Sequence, residues 1–290
     1  MQNKSHRVVM PVVWLLFALF SGALHAEEAL LWRVEASEGA VSHLFGTIHS
    51  EDARVTELAE PVAQAFDSAE TVMLEMELTP TVQQQMAQAI MLPPAQQLSD
   101  FLPQELFQAS ISVMAERGYP EQITARLRPW AVLLTLSMPQ PKTGEFLDKV
   151  LHDRAIAEGK MVMGLESLEE QLAIFRDLPL ADQRLMLEQA LKDHPRLPEM
   201  LETMTSAWLQ RDLGRLMALY QESMAELPPS LQQTVGHRLL QGRNQRMAER
   251  ALEVLQQGGA FIAVGALHLP GEEGLVALLR ERGMTLTPVY

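Results

Sequence analysis

Short apolar runs and segments of helical periodicity divide this chain into strands and helices. Runs of apolar residues bounded by turn residues are typical of buried strands. They predict six strands, at 30–36, Val41–Thr47, 71–78, Met161–Gly164, Ala260–Gly265 and 285–289. Because only Ser37-Glu38-Gly39 and the residues beside it separate the first two runs, we expect these to form a hairpin.

Helical spacing dominates the long middle of the chain, about residues 82–257, which one short strand interrupts. Apolar residues recur at helical spacing over 190–220, with interruptions at His194-Pro195 and Leu197-Pro198, and again over 231–255. Strands at both ends with helices between them predict an α/β fold. Its mixed sheet is built from strands at both ends of the chain, with a large inserted or capping helical region.

The first 26 residues have the pattern of a secretory signal peptide. Lys4 and Arg7 precede an apolar run over 8–20, and small residues place the cleavage site after Ala23 or Ala26. An uncleaved anchor is the alternative reading, although Pro11 and the shortness of the run weigh against it. We therefore expect residues 27–290 to form one exported, periplasmic domain with no stable membrane span after cleavage.

Charge and cysteine content exclude several classes of function. The net charge is −14, and it becomes −16 when the two basic residues of the signal segment are removed. Such an acidic chain is a poor ligand for nucleic acid, so we expect no nucleic-acid partner. Cysteine is absent, which excludes disulfides, thiolate metal sites and a cysteine nucleophile.

Two copies of one motif provide the main candidate chemistry. Leu44-Phe45-Gly46-Thr47-Ile48-His49 and Val264-Gly265-Ala266-Leu267-His268 each take a strand through glycine to histidine, and a helical segment follows each, at 55–66 and 274–282. Sites in α/β sheets form outside the carboxyl ends of strands, so two neighbouring copies would place both imidazoles in one crevice. A helix N-terminus disfavours imidazolium, and the neutral ring suits a metal ligand or a general base.

A carboxylate within one predicted strand and another at a strand exit are further candidates. Glu75 interrupts the apolar run at 71–78, where alternation predicts that Glu75 and Glu77 share a face. A carboxylate in such a strand needs a partner, and a metal ion or a histidine would provide one. Glu166 follows the strand Met161–Gly164, just before an S-x-x-E capping box at Ser167 that starts a helix.

The pattern alone does not select the remaining candidates. Arg243 and Asn244 lie in a helix rich in Arg and Gln, which is typical of a solvated face, and Asp148 lies in a similar setting. Arg54 follows the first motif, and its guanidinium group is suited to a carboxylate or an oxyanion. The sequence contains no H-E-x-x-H, no G-x-S-x-G and no phosphate-binding glycine loop.

At these residues the chain resembles the TraB/GumN family, which includes the TIKI proteases. The resemblance covers nearly all of residues 27–290, and its marks are Leu31-Trp32-Arg33-Val34, Phe45-Gly46-Thr47-Ile48-His49, Leu74-Glu75, Leu147-Asp148, Gly164-Leu165-Glu166-Ser167 with Gln171, Arg243-Asn244, and Val264-Gly265-Ala266-Leu267-His268-Leu269 with Gly271. It implies an erythromycin-esterase/ChaN-like α/β fold and proteolysis that depends on manganese or cobalt. Its metal-site residues fall on His49, Glu75 and His268, and its Arg-Asn pair falls on Arg243 and Asn244.

The resulting hypothesis is an exported metal-dependent hydrolase, peptidase-like, with a peptide or small-molecule substrate. His49, Glu75 and His268 would hold manganese or cobalt, or else zinc. The catalytic candidates beside this metal set are Glu166 or Asp148 as base or orienting group, Arg243 or Arg54 for the oxyanion, and Asn244. Two alternatives remain open: a metal-independent hydrolase of the esterase type that uses histidine and glutamate, and a non-catalytic periplasmic protein that binds a peptide or signal.

Overall fold

The computed structural model describes residues 29–290, so the predicted signal peptide lies outside the described residues. Its sheet has the strand order β4-β3-β5-β2-β1-β6. The strands are β1 Leu31–Glu35, β2 Val41–Thr47, β3 Thr71–Leu74, β4 Met161–Gly164, β5 Ala260–Gly265 and β6 Thr285–Pro288. The strands β4, β3, β5 and β2 are parallel, whereas β1 is antiparallel to both β2 and β6.

This arrangement confirms the predicted mixed sheet built from both ends of the chain. The hairpin of β1 and β2 is present, and four further strands lie where apolar runs predict them. One boundary is wrong: β3 ends at Leu74, so Glu75 and Glu77 follow the strand and do not belong to it. The physical reason is that the backbone N–H of Gly265 on the neighbouring strand donates to the Glu75 side chain, which ends the regular ladder.

Helices fill the middle of the chain as predicted. Their bounds are α1 Ala53–Thr56, α2 Glu60–Asp67, α3 Pro80–Ala89, α4 Gln104–Glu116, α5 Glu121–Thr124, α6 Pro129–Ser137, α7 Leu147–Ala157, α8 Leu168–Arg176, α9 Leu180–Asp193, α10 Leu197–Leu209, α11 Leu213–Met224, α12 Pro229–Gly236, α13 Gly242–Gln257 and α14 Leu275–Glu281. Short 3₁₀ segments occur at Leu98–Asp100, His194–Arg196 and Ala266–His268, and a π-helical segment at His237–Gln241 joins α12 to α13. No helix within residues 29–290 is long and apolar enough to cross a membrane.

Local sequence explains several helix starts. Ser167 and Glu170 form the predicted capping box of α8, in which the Ser167 hydroxyl accepts from the Glu170 N–H and the Glu170 carboxylate accepts from the Ser167 N–H. The predicted helical segment at 55–66 is divided into α1 and α2, because Pro61 lies in the first turn of α2 and cannot continue an earlier helix. Pro198 likewise lies in the first turn of α10, where its missing N–H is not needed.

The buried apolar side chains form two clusters. The sheet cluster surrounds the strands and includes Trp32, Phe45, Phe66 and Phe261, all at most 1% exposed. The cap cluster lies among helices of the chain's middle and contains Leu92, Leu98, Leu102, Leu106, Met114, Leu127, Trp130, Ala131, Val132, Leu133, Leu136, Leu172, Leu178, Met186, Leu187, Leu227, Leu231 and Val235. The helical middle therefore has an apolar core of its own beside the sheet.

Candidate functional site

The two copies of the glycine–histidine motif lie on neighbouring parallel strands. Gly46 of β2 pairs with Val264 of β5, and Thr47 pairs with Gly265, so both strands deliver their following residues to the same edge of the sheet. A methyl group on Gly46 would lie 3.1 Å from the Cα atom of Ala266 and 2.7 Å from the Leu269 side chain. Glycine is therefore required at this position by close packing of the turn that carries His268.

Glu75 lies at the centre of the polar contacts at this edge. Its Oε1 atom accepts from the backbone N–H of Gly265 at 2.7 Å, and its Oε2 atom accepts from Arg243 at 2.5 Å and from Gln171 at 3.4 Å. Burial favours the neutral acid, but Arg243, His268 and the Gly265 N–H outweigh it and lower the pKa of Glu75 to about 2. Glu75 is thus a carboxylate at neutral pH.

His268 is buried, and Asn244 determines which of its ring nitrogens carries the proton. The Asn244 side-chain N–H group donates to the backbone carbonyl of Glu273 at 2.7 Å, so the amide oxygen faces the His268 Nδ1 atom at 2.6 Å. Since that oxygen only accepts, Nδ1 carries the hydrogen. Burial, together with the nearby Arg243 charge, outweighs the attraction of Glu75 and lowers the pKa of His268 to about 4. The ring is therefore neutral at pH 7, with an unprotonated Nε2 atom.

The free lone pair of His268 faces a second acceptor. Its Nε2 atom lies 3.5 Å from Oε1 of Glu75. Neither atom carries a proton at pH 7, so they cannot bond to each other directly. A water molecule or substrate group that donates to one of them, or a cation between them, would satisfy both.

Arg243 binds two carboxylates and is nine-tenths buried. Its Nη2 atom lies 2.5 Å from Glu75 and 2.6 Å from Glu166, while its Nε atom donates to Glu166 at 2.8 Å and Nη1 to the Leu239 carbonyl at 3.3 Å. Glu166 is fully covered and also accepts from Arg246 at 3.2 Å. Because each guanidinium nitrogen already has an acceptor, the geometry favours a positioning role for Arg243 over the predicted contact with an oxyanion.

The π-helical segment His237–Gln241 explains why Arg243 and Asn244 face inward. A π turn includes one residue more than an α turn, so it shifts the following residues around the helix axis. The buried positions Leu231 and Val235 of α12 are then followed by buried Arg243 and Asn244 on α13. The polar composition that indicates a solvated face is misleading here, since the shift places these two residues inside.

Asp148 lies near this group at the start of α7. The Thr47 hydroxyl donates to its Oδ1 atom at 2.9 Å. Burial, and then the negative charge of Glu75, raise the pKa of Asp148 to about 6, while the bond from Thr47 acts in the opposite direction. Asp148 thus changes its protonation state close to neutral pH.

His49 lies at the same edge but outside the hydrogen-bonded group. Its ring stacks on Phe146, with 4.1 Å between the ring centroids, and its side chain is exposed on one side. The pKa of His49 is lowered overall, because desolvation by the surrounding protein outweighs the opposing effect of the negative charges of Glu51 and Glu75. His49 also lines an apolar cavity beneath the helical middle, which neither Glu75 nor His268 touches.

Arg54 is not brought to this group. Its guanidinium donates to Asp52 at 2.6 Å and to Glu202 at 2.9 Å, and its side chain is half exposed. The contacts of Arg54 thus link α1 to α10 at the surface. They do not support the predicted role of this residue with an oxyanion.

The predicted metal ligands are only partly assembled. Within residues 29–290, no group of three or more His, Asp or Glu side chains is arranged to hold an ion, because His49 packs against Phe146 and does not join the other two. Glu75 and His268 by themselves fit one: nitrogen and oxygen ligands of a tetrahedral zinc ion lie about 3.4 Å apart. Their observed separation is 3.5 Å. The chain thus provides two donors of suitable chemistry.

Four residues contribute to the site that the sequence reasoning did not assign. Gln171 and Arg246 contact its carboxylates, Thr47 orients Asp148, and the backbone N–H of Gly265 binds Glu75. Gln171, Thr47 and Gly265 all lie within the motifs that mark the family resemblance, so a signal for them was present. Arg246 lies one helical turn after Arg243 on α13 and contacts the same carboxylate, Glu166, but no sequence motif marked it.

Comparison with known proteins places these residues in context. The chain is 26% identical to the uncharacterized protein YbaP of Shigella flexneri over 245 residues, which cover 82% of the chain and 88% of that protein. It is 26% identical to metalloprotease TIKI2 of Xenopus tropicalis and 27% identical to metalloprotease TIKI1 of Danio rerio, over 88% of the chain in both cases. The matches cover 58% and 62% of those two longer proteins. No solved structure matches the chain.

The family itself is shown by a match that covers most of the described residues. Residues 30–288 match the TraB/PrgY/gumN family, and the stretch includes every residue of the site. This confirms the resemblance seen in the sequence motifs. The chain belongs to the TraB/PrgY/gumN family.

Proposed function

We propose that this protein is an exported, metal-dependent hydrolase that acts on peptides in the periplasm. The observation that carries the proposal is the 3.5 Å approach of two acceptors, the His268 Nε2 atom and the Glu75 Oε1 atom. A cation or an activated water molecule between them would satisfy both atoms. The names of the TIKI relatives, which are metalloproteases, support hydrolysis of peptides.

Glu75 and His268 would hold the ion. When bound there, a divalent ion supplies Lewis-acid polarisation of a carbonyl group and a lowered pKa of water. Asn244 keeps the His268 lone pair directed at this position, and Arg243 keeps the Glu75 carboxylate ionised and in place. Manganese, cobalt and zinc all accept such ligands.

Asp148 and His49 are the groups suited to proton transfer. A general base works best when its pKa is close to the working pH, and the pKa of Asp148 is raised to about 6. His49 has a lowered pKa and an open face, so at neutral pH it presents an uncharged imidazole at the edge of the cavity. Glu166, which is covered and paired with two arginines, serves to position Arg243.

A metal-independent hydrolase is the second candidate. It is favoured by the neutral Nε2 atom of His268, which can itself accept a proton from water beside the Glu75 carboxylate. The same residues then act without an ion, and a chelator leaves turnover unchanged.

The experiment uses residues 27–290 and a defined mixture of peptides, with products identified by mass spectrometry. The proposal predicts cleavage by the unsubstituted protein and a loss of at least a hundredfold in rate for Glu75→Gln and His268→Ala. Glu77→Gln is the matched control, since Glu77 is an exposed carboxylate two residues further on, and it should retain the rate. Equal rates in all four proteins would contradict the site, and saturable binding without any product would favour a binding protein.

Elemental analysis of the same preparations separates the two hydrolytic candidates. About one manganese, cobalt or zinc ion per chain, lost in His268→Ala, together with inhibition by a chelator, would support the metal-dependent reaction. Turnover that persists in protein free of these metals would overturn metal dependence and support histidine as the base.

A further inference from the structure

An apolar cavity of about 370 Å³ lies between the sheet cluster and the cap cluster. Ile48 and Met204 line it on the side of the sheet, whereas Leu133, Leu136 and Met186 line it on the side of the cap. Its volume would hold about a dozen water molecules. Cavities of this size bind groups of a small-molecule ligand or a large side chain.

Methionine and leucine are the most frequent residue types in its wall, with five residues each. Five methionines line the cavity: Met138, Met186, Met200, Met204 and Met224. Methionine side chains are flexible and polarizable, and walls built from them adapt to apolar groups of different shape. The wall therefore suits a large apolar group without requiring one particular outline.

The cavity reaches the candidate site at one wall. Ile48, His49 and Ser50 follow directly from β2 and line it, and Thr47, the last residue of β2, donates to Asp148 of the candidate site. An apolar group in the cavity would thus be held beside the edge of the sheet where Glu75 and His268 lie.

A polar groove continues from the cavity toward the surface. It has a volume of about 600 Å³ and shares Ser50, His194 and Thr205 with the cavity wall. Its other lining residues include charged and hydrogen-bonding groups, and the buried Nδ1 atom of the shared His194 has no hydrogen-bond partner among residues 29–290. The groove thus offers polar contacts that an apolar cavity cannot provide.

One side of the groove is fixed by Glu51. Its carboxylate accepts from the backbone N–H groups of Lys142, Thr143 and Gly144 and from the Thr143 hydroxyl, at 2.8–3.0 Å. These four hydrogen bonds hold the loop at 142–144 in place, so the groove is preformed.

We infer that the cavity is a specificity pocket for a large apolar side chain of a peptide substrate, and that the groove receives the adjoining peptide backbone. The inference rests on the proposed function for the nature of the substrate. Its physical basis is independent of turnover, because the apolar wall, the methionines and the polar groove together determine binding.

Binding of short peptides tests this inference. The probes are dye-labelled, acetylated hexapeptide amides that are identical except for one position, which is Ala, Leu, Met or Phe. Fluorescence anisotropy with residues 27–290 should show at least tenfold tighter binding for Met or Phe than for Ala. Mass spectrometry after each titration verifies that the probes are intact, so the readout is affinity and not cleavage.

Two substitutions on α9 provide the matched comparison. Ala190 lines the cavity, whereas Leu185 lies on the same helix, is 40% exposed and does not line it. Ala190→Phe should reduce the preference for Met over Ala to less than twofold, and Leu185→Phe should preserve it. Met204→Gln, which keeps the length of the side chain but makes its end polar, should weaken binding of the Met probe about fivefold.

Two results would overturn the inference. One is equal affinity of the unsubstituted protein for all four probes. The other is an unchanged preference in Ala190→Phe and Met204→Gln when circular dichroism shows that both variants are folded. Tight, selective binding without cleavage would contradict the proposed hydrolysis alone, and cleavage without selectivity would contradict the pocket alone.

Discussion

At the scale of single residues, neighbouring carboxyl groups are held at very different pKa values. Arg243, and then His268, overcome the effect of burial and lower the pKa of Glu75 to about 2, whereas burial, and then the negative charge of Glu75, raise the pKa of Asp148 to about 6. Divergent pKa values within one site commonly separate a permanently charged group from a group that exchanges protons. The proposed roles of these two residues follow from this difference.

The raised pKa of Asp148 predicts a pH-dependent stability. The ordinary value is 3.8, so between about pH 4 and pH 6 the folded protein holds the Asp148 proton more tightly than the unfolded chain does. Stability from this group is therefore present at low pH and is lost as the pH rises through 6. Relative to Asp148→Asn, the free energy of unfolding of the unsubstituted protein should fall by up to about 3 kcal/mol over this range.

Urea unfolding of both proteins from pH 4 to pH 8 measures this difference. Asp153→Asn on the same helix is the control, because its hydrogen bond to Lys149, followed by that to His152, lowers the pKa of Asp153. Because the ordinary pKa is 3.8 and folding lowers it, Asp153 is ionised in both the folded and the unfolded chain over most of this range, so the difference between Asp153→Asn and the unsubstituted protein should stay nearly constant from pH 4 to pH 8. A difference for Asp148→Asn that is constant with pH would contradict the raised pKa.

Glu166 should matter for stability because it is buried with its partners. Glu166→Ala removes the covered carboxylate that binds Arg243 and Arg246, and removal of one partner of a buried ion pair costs about 3 kcal/mol or more. Glu169→Ala removes a carboxylate that is 74% exposed and pairs with Arg176, and it should cost less than about 1 kcal/mol. Chemical denaturation compares the two, and similar losses would show that Glu166 is not a buried partner.

The sequence identified the residue types of the site better than their contacts. His268 could be selected because it stands at a strand exit, and Glu75 because it interrupts an apolar run. Arg243 and Asn244 could not be selected from composition, since the register shift of a π-helical segment is invisible in a pattern of polar residues. Arg54 was a candidate because it follows the first glycine–histidine motif, but Asp52 and Glu202 bind its side chain at the surface.

At the scale of elements, the glycine of the first motif joins β2 to the turn after β5. A side chain on Gly46 would press on the Ala266 backbone, which cannot move as a flexible side chain does. Overpacking of this kind costs about 1–3 kcal/mol. We therefore expect Gly46→Ala to lower the free energy of unfolding by that amount, as measured by urea denaturation.

Gly214→Ala is the control for this substitution. Gly214 lies in α11, and a methyl group there would have one ordinary contact, at 3.5 Å from Asp212. Alanine in a helix is favoured over glycine by about 0.5–1 kcal/mol, so this variant should be as stable as the unsubstituted protein or more stable. If Gly46→Ala were equally well tolerated, close packing would not explain the glycine.

Strand positions were predictable because each is a short, bounded apolar run. The end of β3 was not, since it depends on a side-chain hydrogen bond from another strand, which local sequence does not encode. The break between α1 and α2 follows from Pro61 and was available in the sequence, but the apolar periodicity across it hid the boundary.

At the scale of the whole molecule, the parallel strands bring distant parts of the chain to one edge. β2 and β5 are neighbours although more than two hundred residues separate them, and the helical middle between them has its own apolar cluster. The mixed sheet and its helical insertion were predictable from the placement of strands at the two ends. The cavity between the two clusters was not, because its wall is assembled from several helices whose relative packing a linear pattern does not fix.

Both candidate reactions require that His268 presents a free Nε2 lone pair to the Glu75 carboxylate. The nitrogen-15 NMR spectrum of the histidine rings in metal-free protein from pH 5 to pH 8 measures this. We expect a neutral His268 ring throughout, protonated at Nδ1 and unprotonated at Nε2, and loss of this tautomer preference in Asn244→Ala. A proton on the Nε2 atom at pH 7, whether in the other tautomer or in imidazolium, would contradict it.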